Sequence, residues 1–233
     1  MMKFPALSPA PNEKETAFGL IWLAANLLVM PSVFAVFNGL LPSPLSMGML
    51  NVLYYAVNCA VTVFLLRKYL LAAWRTAMSR LAGVVWWAIL GYLGYQTLTG
   101  IVTTGIVICY PNFTNVNDQN IFAMLEEDTL PLALATVFLV PLTEETLYRG
   151  LIFRKLLEKN RVLAFVVSML VFAAIHVMGY IGTQPPAVLF LCFLQYLPAG
   201  FCLGWCYLQT GTILTPILTH TLVNAVGICY ALR

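Results

Sequence analysis

The chain has two histidines, and each falls inside a run of apolar residues, His176 in one and His220 in another. Each has a partner four residues away: Phe172 precedes His176, and Asn224 follows His220. Four residues is about one helical turn, so each pair projects from a common helix face. A third apolar run carries Glu144 and Glu145, with Arg149 four residues beyond the second glutamate. Glutamate before arginine at that spacing is the better-oriented helical ion pair, which leaves Glu144, about 100° further round, available. Pro141, just ahead, removes one backbone hydrogen bond and predicts a kink there. A carboxylate that takes a proton from water, imidazoles that assist, and an amide that donates to an oxyanion are the parts of hydrolysis by activated water.

Taken singly, each cluster also has a structural explanation. The glutamates could sit at a solvated helix end, His176 could be a packing residue, and His220 with Asn224 could hydrogen-bond between helices. Together they point to chemistry, because ionisable groups inside apolar spans are costly and usually functional. Their depths agree. Glu144 precedes Lys159 by 15 residues and His176 follows Arg161 by 15, which sets both roughly 22 Å from the basic stretch between them. His220 lies nine residues beyond Gly211, roughly 14 Å along its own run. A pocket reached from the cytoplasm is geometrically allowed.

The elements that must hold these groups are membrane helices. Of 233 residues, 61% are hydrophobic and 9% charged, against about a quarter charged in a soluble domain. A soluble fold is excluded, and the net charge of +3 is a topology signal, not a nucleic-acid patch. Apolar runs near the roughly 20 residues that cross a bilayer fall at 17–38, 46–66, 81–108, 129–153, 162–178, 187–208 and 213–231. Separators include the Pro-containing stretch Leu41 to Leu45, the basic stretch Arg67 to Arg80 and an acidic loop from Cys109 to Asp128. Nothing alternates long enough for a β-barrel. The expected fold is all-α, a polytopic transmembrane helix bundle of about seven spans in a single membrane domain, 1–233.

An N-in, C-out orientation places Lys3, Lys14, Arg67, Lys68, Arg75, Arg80, Arg154, Lys155, Lys159 and Arg161 inside and only Arg233 outside. The first residues lack the series of a cleaved signal peptide, so the first run is expected to be a retained helix. The cysteines lie mostly within apolar runs and read as unpaired.

With Glu144, Glu145 and Arg149, then Phe172 and His176, then His220 and Asn224 in that order, the chain resembles the CPBP intramembrane proteases. That family includes CAAX prenyl endopeptidases and bacteriocin-processing and Abi-like immunity proteins. Every specified position of its patterns Glu-Glu-x-x-x-Arg, Phe-x-x-x-His and His-x-x-x-Asn is filled. The resemblance covers about residues 117–228 as a protease core and leaves 1–116 as spans without a recognised motif. It implies an intramembrane endopeptidase with Glu144 as general base, His176 assisting, His220 and Asn224 stabilising the oxyanion, and Glu145, Arg149 and Phe172 in support.

Members of the family are described both as metalloproteases and as glutamate-dependent enzymes. The zinc alternative would use Glu144, His176 and His220. The lack of a His-Glu-x-x-His helix and the amide of Asn224, a poor ligand but a good donor, favour a metal-free site with no cofactor. The expected partners are membrane lipids and a peptide or lipidated-protein substrate, with no nucleic acid. The expected location is a bacterial cytoplasmic membrane. A proton-coupled transporter would use similar groups, but no repeated halves accompany them. A non-catalytic immunity protein would keep the fold without using the four catalytic positions.

Overall fold

A computed structural model describes residues 5–233 and folds them almost wholly into helices, with no strand among the described residues. The helices are α1 (Glu13–Leu28), α2 (Met30–Leu40), α3 (Met47–Leu65), α4 (Arg67–Met78), α5 (Leu81–Cys109), α6 (Val116–Leu157), α7 (Arg161–Met178), α8 (Pro186–Thr210) and α9 (Leu214–Ala231). Six are long and apolar enough to cross a membrane, and seven spans result when α1 and α2 count as one. The large side chains Ile21, Phe64, Trp86, Ile101, Phe138 and Val162 point outward around the bundle, as a hydrocarbon environment requires.

Three elements differ from the sequence reading. The first run, 17–38, is a broken span: α1 and α2 meet at a 53° bend, where Pro31 in the first turn of α2 lacks the N–H that would continue α1. The basic stretch from Arg67 is a helix, α4, not a separator. Its buried residues Tyr69, Ala73 and Ala77 recur every four positions, while Arg67, Arg75, Leu71 and Trp74 stay exposed. That is the pattern of a helix lying in the membrane interface. The carboxylate of Glu15 accepts from the backbone N–H of Lys68 at 3.0 Å and of Tyr69 at 2.9 Å, capping the positive end of α4.

The third difference is the acidic loop, most of which is the start of α6. Asn115 caps it, accepting from the N–H groups of Asn117 and Asp118. The helix breaks at Asp128, whose φ of −128° and ψ of 49° are non-helical. There the freed carboxylate accepts from Ser46 Oγ and from Met49 N, closing the start of α3.

The basic end of the bundle is tied together by short contacts. Ser8 N donates to Gly211 O at 2.7 Å, Arg80 Nη1 to Thr210 O at 2.7 Å and Thr212 Oγ1 to Ala73 O at 2.9 Å. Above it lie two apolar layers, first Tyr69, Phe153, Ala164, Tyr207 and Ile213, then Leu23, Leu66, Leu147, Leu151, Phe172 and Leu203. A third cluster, Leu125, Leu132, Val137 and Ile228, packs toward the opposite end. Helices α7 and α8 approach so closely that a Cβ at Gly200 would lie 2.5 Å from Met169 Cα, the small-residue contact by which membrane helices pack.

Candidate active site

The helix that carries Glu144 is not a regular one. A π-helical turn, Ala135–Leu139, precedes Pro141, and within it Val140 N bonds five residues back to Ala135 O. The next bond in that register would join residue 141 to Thr136 O, and proline has no N–H to make it. Asn224 supplies the missing donor: its Nδ2 lies 2.8 Å from Thr136 O. The kink expected at Pro141 thus takes the form of a π turn, a feature frequent at functional sites, and a side chain of α9 holds it.

One turn later Glu145 is fully buried, and its Oε1 accepts from Arg149 Nη1 at 3.0 Å and from His220 Nδ1 at 2.9 Å. The Arg149 guanidinium, also fully buried, lies over the Phe172 ring at 4.5 Å. A second π-helical segment, Thr146–Phe153, contains Arg149. Since a carboxylate can only accept, Nδ1 of His220 carries a proton and Nε2 is left to face away. His176 is held the same way by a different acceptor. Its Nδ1 lies 2.7 Å from Phe172 O, which fixes the Nδ1–H form and leaves a lone pair on Nε2. Its ring stacks on Tyr196 at 4.3 Å and 27°.

Glu144, Phe172, His176, His220 and Asn224 all line one cavity of about 670 Å³. Glu145 and Arg149 are not in its wall; they form the ion pair behind it. Glu144 Oε2 is buried with no hydrogen-bond partner among the described residues. Removing one member of the Glu145–Arg149 pair strands a buried charge, so Arg149→Ala is expected to cost about 3–5 kcal/mol of stability and activity as well. Thermal unfolding in detergent checks this; an unchanged midpoint with full activity would mean that the pair is idle.

The wall also holds residues that the sequence reading missed, among them Asn26, Tyr54, Asn58, Asp118, Tyr148 and Tyr196. A usable signal existed, since amides and tyrosines recur inside the apolar runs, but attention to ionisable groups alone passes over most of them. Depth along the helices allows a pocket reached from the basic loops, and the cavity itself opens elsewhere. Leu147, Phe172 and Leu203 close the cavity with the apolar layers between it and the basic end. Of its exposed wall residues, Asp118, Phe122, Val226, Gly227 and Tyr230 lie toward the opposite end, and Gln96 stands midway along α5.

The zinc alternative needs Glu144, His176 and His220 to gather around one ion. Among the described residues no group of three His, Cys, Asp or Glu side chains is placed to hold a metal. Each histidine commits Nδ1, to Glu145 or to Phe172 O, and keeps Nε2 as its open ring nitrogen. As placed, Glu144, His176 and His220 do not form such a group.

No curated protein and no solved structure matches the chain. Residues 126–226 match the model of the Rce1-like family, described as type II CAAX prenyl endopeptidases. Glu144, His176, His220 and Asn224 all fall within the matched residues. The resemblance read from the three motifs is therefore supported over the segment that bears the site, which matches the model of this CAAX protease family.

Proposed function

We propose that the protein is a metal-free intramembrane endopeptidase that hydrolyses peptide bonds with water activated by Glu144. The observation that carries this reading is the convergence of Glu144, His176, His220 and Asn224, from three different helices, on one cavity. In the proposed cycle Glu144 takes a proton from a water held against the Nε2 lone pair of His176. The water oxygen attacks the scissile carbonyl carbon, and the resulting oxyanion receives hydrogen bonds from Asn224 and His220. Asn224 donates one amide N–H to Thr136 O and keeps the second for the oxyanion. His220 donates through Nε2 when its ring is doubly protonated, and Glu145 behind Nδ1 orients and stabilises that cation. Glu144 then returns its proton to the amine nitrogen as the carbon–nitrogen bond breaks.

The metal-free reading is tested on the purified protein. Elemental analysis is expected to find no stoichiometric zinc, and an internally quenched peptide should be cut at an undiminished rate in the presence of a chelator. About one zinc per chain, with activity lost to chelator and restored by metal, would decide for the metalloprotease. A proton-coupled transporter and an immunity protein would each leave the peptide intact.

A further inference from the structure

Among the described residues the cavity wall holds no lysine and no arginine, and its carboxylates are Asp118 and Glu144 alone. Asp118 is exposed at the mouth, and its Oδ1 accepts from Tyr196 OH at 3.1 Å. Tyr196 is the ring on which His176 stacks. A single negative charge thus stands one side chain away from the imidazole, on the approach to it. An acidic segment brought there would set like charges side by side, and the wall presents no cationic side chain apart from its histidines to offset them. The mouth also faces away from the basic loops, which the positive-inside rule assigns to the cytoplasm.

We propose that the site is fed from the non-cytoplasmic face by a neutral or basic stretch of peptide, with Asp118 selecting for positive charge. This rests on the hydrolase reading above. It sets the substrate class apart from a cytoplasmic protein.

Entry is tested by labelling, which needs no activity. Cys109 and Cys229 are exposed and the other four cysteines are buried, so a variant with both exposed ones replaced by serine is a quiet background. In intact cells a membrane-impermeant maleimide is expected to react at Phe122→Cys, and at Arg75→Cys only after permeabilisation. The reverse pattern, or no reaction at position 122, overturns entry from that face. Selectivity is read with two quenched peptides that differ by lysine or glutamate beside the scissile bond. The wild type is expected to prefer the lysine peptide in kcat/KM by roughly fivefold, the scale of one exposed ion pair, and Asp118→Asn to lose that preference. A preference for glutamate, or one that survives the substitution, overturns the role of Asp118. A wild type that cuts neither peptide overturns the hydrolase reading and the selectivity with it, whereas the labelling decides the face of entry by itself.

Discussion

Replacing Glu144 by alanine is expected to lower peptide turnover by about 10²–10⁴-fold, the usual contribution of a positioned general base. The substitution should leave the fold intact, because Glu144 Oε2 has no hydrogen-bond partner among the described residues and the nearby ion pair belongs to Glu145 and Arg149. Glu144→Gln keeps the shape without the basicity and should fall as far. Initial rates on a quenched peptide, together with a thermal unfolding midpoint, check both halves. Wild-type turnover by either variant would remove Glu144 from the mechanism.

Asn224→Ala is expected to have two separable effects. Loss of one oxyanion donor costs about 10²–10³ in turnover. Loss of the amide that closes the π turn leaves Thr136 O without the partner it has at 2.8 Å, a destabilisation of about 1–3 kcal/mol. Restoring a backbone N–H at position 141 separates the two, since that N–H could reach the same carbonyl. Pro141→Ala combined with Asn224→Ala should therefore recover much of the unfolding midpoint while turnover stays low. Recovery of turnover along with stability would make Asn224 a structural cap with no part in the chemistry.

Much of this site was legible in the sequence, for a physical reason. Buried polar groups in a membrane are few, and the spacing of four residues carries through a helix into space: Glu145 and Arg149 meet at 3.0 Å, and Phe172 O and His176 at 2.7 Å. What spacing could not carry were contacts between helices. Nothing in the motif around His220 announces that its Nδ1 would bond Glu145, or that Asn224 would serve a carbonyl left open by Pro141. The π turns depend on that tertiary partner, and a regular 3.6-residue period cannot reveal them. Helix α4 has 12 residues, too few to span a bilayer, so length alone does not mark it. Its four-residue repeat of Tyr69, Ala73 and Ala77 is visible once a helix may lie flat. The bend between α1 and α2 was signalled by Pro31, and the helical start of α6 was hidden by its polar composition.

The interfacial helix α4 also bears on how the protein sits in bilayers of unequal thickness. Its exposed Trp74 and Leu71, with Arg67 and Arg75 beside them, seat it where headgroups meet hydrocarbon. Glu15 and Thr212 fasten it to α1 and to the turn before α9. Glu144 stands 13 residues before the end of α6 at Leu157, or about 20 Å from it. The distance from that leaflet's surface to the carboxylate is therefore set by the protein. Hydrophobic mismatch must be absorbed at the other leaflet, beside the broken helices and the mouth of the cavity. A thicker membrane buries the mouth more deeply without moving Glu144, so under the proposed function lipid length becomes a determinant of which peptide bonds can reach it.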